Sequence, residues 1–322
     1  MKILITGVHG FVGSNLVEAL KKEHTIYGLD IISPQKDGVR STFGWDFLDK
    51  VDGIPEVDAI IHLAGKAHDT KKQAAADVYF KVNTDLTKKI FDWFLAHDSI
   101  KKFVFFSTAK AAADKVEGIL TEDVVPSPVG PYGESKIAAE RYIISRVAPP
   151  EKHKLEISGD IQRSVYIFRP CMIHGPGNKG NLNLLYNVVR KGIPWPLGAF
   201  ENRRTFTSVE NVCFAVNGVL TQDVPSGIYN IGDDEALSTN ELIEEICKSL
   251  GKKAHIWKLS KGMMTGFAKI GDALHLPLNS ERLRKLTENY ISSNEKIKKA
   301  LGVDKMPVNA REGLKVTLES FK

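Results

Sequence analysis

Cysteine is scarce in this 322-residue chain: Cys171, Cys213 and Cys247 are the only three, and they stand far apart. An odd number without metal-ligand spacing excludes a disulfide framework and a bound structural metal, and fits a reducing cytoplasm. Long apolar runs are missing too, and none reaches the roughly 18 residues of a membrane-spanning helix. The opening "MKILITG" passes directly into a buried-strand pattern, which is read as leaving no room for a signal peptide. Nor is there a long basic run with interleaved aromatics. The net charge is only +5, and pairs such as Lys21-Lys22, Lys71-Lys72 and Lys101-Lys102 are scattered. These absences predict a soluble cytoplasmic protein that neither inserts into a membrane nor binds nucleic acid. A small anionic substrate is compatible with the charge.

What is present is ordinary globular material, 43% hydrophobic and 26% charged, and long enough for two lobes or one large α/β unit. Short apolar runs alternate with helical patterns: "KILIT", a helix to about Leu20, "TIYGLD", "AIIHLAG", a helix from about Asp77 to His97, "KKFVFFST", a helix from Ser135, and "SVYIFRP". Continuous apolar strands separated by amphipathic helices predict an α/β fold with a doubly wound parallel sheet, whose ligands sit at the strands' carboxyl ends. Near residue 262, "GMMTGFAKIGDALHL" has two readings, a helix on a membrane surface or a helix packed on a second lobe, and packing is the expected one.

Directly after the first strand, "GVHGFVGSNL" spaces Gly7, Gly10 and Gly13 three apart. Glycines at a strand-to-helix junction permit a tight turn and close approach of backbone N–H groups to phosphate, here those around Phe11 and Val12. The second strand ends in Asp30, whose carboxylate suits ribose hydroxyls and repels a 2′-phosphate, favouring NAD over NADP. Lys36 and Arg40 close behind leave NADP open. In "WDFLD", Asp46 is a candidate acceptor for an adenine amino group, with an apolar wall starting at Phe47.

"SPVGPYGESKIAAERY" places Tyr132 and Lys136 four apart, one turn of a helix. Such a pair is expected about once by accident in a chain this size, so context decides its meaning. A nearby cation stabilises a phenolate and lowers the phenol's pKa, which makes proton exchange at neutral pH feasible.

In sum these residues resemble the extended short-chain dehydrogenases/reductases that modify nucleotide sugars. The glycine triplet, "HLAG" (His62 to Gly65), Asn83, "FFST" and "YGESK" fit that family's motifs in order, and the resemblance covers nearly the whole chain. It implies a Rossmann domain over residues 1–170 and a smaller mixed α/β substrate lobe over 171–322, with residues 205–235 returning to the sheet. By the same resemblance Tyr132 is the acid/base, Lys136 tunes it and holds the nicotinamide ribose, and Thr108 bonds the same substrate oxygen. Leu63, Ala64, Gly65 and Asn83 line the cofactor. The segment "AKAAAD" departs from the family's usual Val-Tyr-Gly, which alters the loop's shape and the substrate fit.

In the second half, "ENRRTFTSVENV" resembles the strand whose arginine binds a sugar-nucleotide diphosphate, implying Arg204, with Arg203 a solvated neighbour. Asn181, His68 and Arg282 or Arg284 are further substrate candidates, while His174 is expected to complete a turn rather than bind metal. The resemblance implies a nucleotide-diphosphate sugar, UDP-linked, as substrate, and two reactions at its C4 stay open: NAD-dependent 4-epimerisation, put first because of Asp30, or NAD(P)H-dependent reduction of a 4-keto-6-deoxy sugar. A catalytically silent dinucleotide sensor is a minor third reading, disfavoured by the presence of Thr108, Tyr132 and Lys136. The family also implies a homodimer through the helices after Asn83 and Tyr132, with Phe91, Phe94, Ile137 and Ile144 as candidate apolar faces, although burial within one chain explains some of them equally well.

Overall fold

The computed structural model of the protein describes residues 1–49, 55–67, 75–147, 163–274 and 279–322. Its main sheet has seven strands: β1 (Lys2–Thr6), β2 (Thr25–Leu29), β3 (Val39–Phe43), β4 (Ala59–His62), β5 (Lys102–Phe106), β6 (Ser164–Pro170) and β7 (Gly227–Ile231). All neighbours pair parallel, in the spatial order β7-β6-β5-β4-β1-β2-β3. Strand order therefore reverses between β1 and β4, where Thr6 lies opposite His62. That reversal opens a crevice at the carboxyl ends of these two strands, the place where doubly wound sheets bind ligands.

The period-two alternation of the strands divides their apolar side chains between two cores. Ile3, Ile5, Val104, Phe106, Tyr166 and Phe168 pack on one face with residues of the helices Phe11–Leu20, Val209–Thr221 and Glu295–Leu301. Leu4, Ile60, Phe103, Phe105, Val165 and Ile167 pack on the other, with residues of Leu86–Ala96 and Pro131–Val147. At roughly 1.5–3 kcal/mol for each large buried side chain, this two-sided burial holds the strand ends in register. β7 and the Val209–Thr221 helix belong to this main body although they come late in the sequence.

The remaining chain forms a three-stranded sheet, in which Arg204–Ser208 lies between Met172–His174 and Ala236–Leu237. The short strand Ile291–Ser292 pairs with Ile119–Leu120, so the late segment reaches back to the loop that follows β5.

Two helices differ from expectation. The Tyr132 helix begins at Pro131 rather than Ser135, because proline's fixed φ suits the first helical position and its missing N–H is not needed there. Between Ala76–Phe80 and Leu86–Ala96, residues Lys81–Asp85 widen into a π turn with Asn83 and Thr84 buried. Such widened turns recur at functional sites. Of the candidate dimer residues, Phe91, Phe94 and Ile137 are buried within this chain, and Ile144 packs against its core, which is the alternative of burial within one chain. The side chains that link the two helices at the surface include Asp92, which accepts from the Tyr142 hydroxyl at 2.6 Å, and Arg146, 3.7 Å from Asp92.

Candidate active site

The glycine loop is built by close approach. A Cβ on Gly13 would stand 2.4 Å from the Gly7 carbonyl oxygen, so only glycine lets the helix start this near the strand end. Gly10 caps the Phe11–Leu20 helix without a side-chain bond, and no acidic residue stands in the first turn. The leading N–H groups, those of Phe11 and Val12, thus present a helix N-terminus suited to an anion. Asp30 ties this loop to β2: its Oδ2 accepts from the His9 N–H at 3.0 Å and its Oδ1 from the Ile31 N–H at 2.7 Å. A carboxylate has further lone pairs, so ribose hydroxyls remain possible partners. Lys36, one of the two residues that left NADP open, donates to the Ser14 hydroxyl at 3.0 Å.

Across the crevice, a buried polar chain fixes the loop after β4. Thr87 donates its hydroxyl to the Asn83 carbonyl at 2.7 Å, so it accepts from His62 Nε2 at 2.9 Å. The Thr6 hydroxyl oxygen accepts from the Leu63 and Ala64 N–H groups, leaving its proton for His62 Nδ1 at 2.7 Å. His62 is therefore neutral with the proton on Nε2; burial, aided by Lys136, pushes its pKa well below the usual histidine range. None of this network was identified from sequence, although His62, Thr6 and Thr87 each stood within a recognised strand or helix.

Asn83 joins that loop to the helix that carries Tyr132 and Lys136. Its Oδ1 accepts from the Lys66 N–H at 2.7 Å, while its Nδ2 donates to the Lys66 carbonyl at 3.1 Å and to the Ser135 hydroxyl at 3.0 Å. Gly65 lies beside both the Asn83 amide and the Lys136 ammonium. A second close approach sits at Gly133, where a Cβ would come within 2.7 Å of the Lys110 carbonyl oxygen. This contact presses the helix onto the segment after β5, and the Tyr132 hydroxyl and the Thr108 side chain are hydrogen-bonded to each other.

Lys136 is buried one turn from Tyr132 and donates to the Phe106 carbonyl at 2.8 Å. Burial lowers its ammonium to about 8, against the opposing pull of Glu140. Tyr132 does not show the lowering expected of it: burial raises the phenol above its usual range, and the Thr108 hydrogen bond only partly offsets this. Beneath the site, Glu140 and Arg169 form a buried ion pair, and Ser107 also donates to Glu140. That pair was not anticipated; Tyr132, Lys136 and Glu140 at four-residue spacing were its only signal.

Other sequence candidates are distributed unevenly. Phe47 is part of the core, stacked on Phe43 with ring centroids 4.3 Å apart, while Asp46 is exposed beside Gly44. Arg204 donates to the Lys285 carbonyl at 2.5 Å, and its strand is tied to Tyr290 through the Thr205 N–H. Tyr290 donates in turn to the Ala113 carbonyl at 2.9 Å, which brings Arg204's strand to the segment that follows Thr108. Arg203 pairs with Glu241 at 2.9 Å on the surface. Of the two helix cations, Arg284 lies 3.6 Å from Asp114 in that same segment, whereas Arg282 is exposed. Asn181 is exposed at the start of its helix, and His68 lies outside the described residues. His174 is buried and bonded to the Thr317 hydroxyl at 2.8 Å; among the described residues no cluster suits a metal.

Sheet, glycine loop and crevice define a doubly wound dinucleotide-binding protein. The sequence model of the NAD dependent epimerase/dehydratase family matches residues 3–232, and the chain belongs to that family of enzymes. It is similar to a UDP-glucose 4-epimerase from Vibrio cholerae, 29% identical over 99% of this chain and 95% of the relative. It is also similar to a dTDP-4-dehydro-6-deoxyglucose reductase from Escherichia coli, 26% identical over 79% of this chain and 83% of that one. Among solved structures, MoeE5 in complex with UDP-glucose and NAD shares the fold with a TM-score of 0.75 at 22% identity, covering 99% and 98% of the two chains. NAD is the family's cofactor, and the residues here fit it: a bare helix N-terminus for the pyrophosphate, the Asp30 carboxylate for the ribose, and Lys136, whose ammonium has donors beyond the one given to Phe106.

Proposed function

We propose that this enzyme is a nucleotide-sugar 4-epimerase acting on a UDP-hexose, as a cytoplasmic homodimer with residues 1–170 mainly holding the cofactor and 171–322 mainly the substrate. The observation that carries the reading is the meeting of Tyr132 and Thr108 hydroxyls one helical turn from a buried lysine at the crevice. The similarity to the Vibrio cholerae epimerase over both chains supports the choice of reaction.

Bound NAD supplies the hydride acceptor and, on the return, the hydride donor. Tyr132 takes the C4 hydroxyl proton as the C4 hydride leaves, which gives a 4-keto sugar, and it returns the proton when hydride comes back to the other face. Thr108 holds the same oxygen and orients the phenol. In this reading Lys136, one turn along the same helix, supplies a positive charge that favours the phenolate once cofactor and substrate are bound, and it holds the nicotinamide ribose. Leu63, Ala64, Gly65 and Asn83 shape the cofactor wall, with Asp46 toward the adenine. Arg204 takes the diphosphate, with Asn181, His68 and Arg282 as further candidate contacts, and Arg284 better placed than Arg282.

The similarity to the Escherichia coli reductase supports a second reading, reduction of a 4-keto-6-deoxy nucleotide sugar. The two differ in cofactor use. An epimerase converts UDP-glucose or UDP-N-acetylglucosamine to its C4 epimer with no net change at 340 nm and no added reductant. Inertness toward both, with stoichiometric NAD(P)H consumption on a 4-keto-6-deoxy sugar nucleotide, selects the reductase.

A further inference from the structure

The Lys261–Leu274 helix buries only one narrow side. Met264, Ala268 and Gly271 face inward, and the first two pack with Leu197 and Leu283. Next to that side run four large apolar residues in the open: Met263 is 42% exposed, Phe267 51%, Ile270 52% and Leu274 65%. Their 4-3-4 spacing aligns them along one face of the helix. Polar residues Lys261, Thr265, Lys269 and Asp272 occupy the remaining arc, and Asp272 is engaged with the Ser280 N–H and hydroxyl at 3.0 and 2.5 Å. Isolated exposed apolar residues are common on protein surfaces, but a continuous exposed stripe on an ordered helix marks an interaction surface.

Charge selects the occupant. From Gly251 to Gly271 the chain carries Lys252, Lys253, Lys258, Lys261 and Lys269 and no acidic residue. All five lysines are exposed, as is Trp257, at 54%. The segment leading into the helix is held by backbone bonds to the Trp195 segment, with Trp257 N–H donating to the Trp195 carbonyl at 2.8 Å, so this surface is a fixed part of the lobe. Two copies meeting through the stripe would bring like charges together, which opposes self-association. An anionic bilayer accepts both parts: the apolar stripe enters the headgroup boundary, and lysines near the lipid surface are attracted to the anionic headgroups.

We propose that the Lys261–Leu274 helix and its basic approach segment form a docking surface for an anionic membrane, on which the enzyme lies without inserting a spanning segment.

Co-sedimentation of the full chain with vesicles tests this directly. Vesicles of phosphatidylcholine with phosphatidylglycerol should retain the protein at least about tenfold better than phosphatidylcholine alone, with retention falling as salt rises. Phe267→Ser with Ile270→Ser, both at exposed positions, should abolish retention while leaving turnover of a soluble substrate unchanged, and Lys261→Glu with Lys269→Glu should abolish the lipid selectivity. Equal retention of wild type and the Phe267/Ile270 variant overturns the proposal, as does no retention on either vesicle. So does a wild-type oligomer that dissociates in that variant without vesicle binding, which would assign the stripe to a second copy of this chain.

Discussion

Arg169 grips Glu140 through both ends of the carboxylate, with Nη2 2.6 Å from Oε2 and Nε 3.0 Å from Oε1, and both side chains are buried. The pair joins the last inner strand of the nucleotide-binding sheet to the helix of Tyr132 and Lys136, one turn beyond Lys136. Removing one partner strands a buried charge. Glu140→Ala should therefore destabilise the fold by about 3–5 kcal/mol, whereas Glu140→Leu with Arg169→Met should cost much less. Urea unfolding of both variants checks this; equal losses would mean that the carboxylate and guanidinium do not act as a pair.

Lys136 is the buried cation of the site, and its replacement should trade function for stability. The drop from 10.5 to about 8 corresponds to roughly 3 kcal/mol against the charged form, part of it offset by the Phe106 hydrogen bond. The folded state gives up this proton near pH 8 and the unfolded chain near 10.5, so the cost is full below 8 and fades as pH rises through that window. Lys136→Met should raise stability at pH 7 by about 1–2 kcal/mol while abolishing turnover, with the gain shrinking toward pH 10. A lower melting temperature at pH 7 would show that the ammonium stabilises the fold.

Legibility followed the reach of each interaction. Strands and glycine loop were readable because burial on both faces and a sharp turn constrain consecutive residues, as "KILITG" shows. Tyr132, Lys136 and Thr108 were readable through local motifs, and the structure brings them together. The Thr6–His62–Thr87 chain and the Glu140–Arg169 pair were not, since each depends on residues 25 or more positions apart meeting through sheet topology. For Phe91, Phe94 and Ile137 the choice between a dimer face and burial in one chain stayed open in the sequence, because periodicity marks an apolar side without saying what covers it; in the structure all three are buried within the chain. The expected lowering of the Tyr132 phenol is not seen for a similar reason: four-residue spacing places a lysine one turn away but does not reveal the burial that raises the phenol.

Asp30 holds the glycine loop; if its carboxylate also takes the ribose hydroxyls as proposed, Asp30→Ala should weaken NAD more than NADP, because loss of hydroxyl contacts accompanies loss of repulsion toward a 2′-phosphate. Calorimetric titration of both cofactors measures the change. A tenfold or larger preference of the unmutated protein for NADP would shift the reading to the reductase.

Arg204 is partly exposed and bonded to the Lys285 carbonyl, with further guanidinium donors that the proposed reading assigns to a diphosphate. Arg204→Ala should raise KM by roughly 10- to 100-fold, the 1.5–3 kcal/mol of a charge-assisted contact, with little change in kcat. A fall in kcat at constant KM would place it at the reacting carbon instead.

The central claim is that Tyr132 moves the proton at C4. Turnover of Tyr132→Phe, measured beside its affinity for NAD, tests it most directly: the account predicts a loss of roughly 10²–10⁴-fold with cofactor affinity nearly unchanged. Turnover within a few-fold of the unmutated enzyme would contradict it.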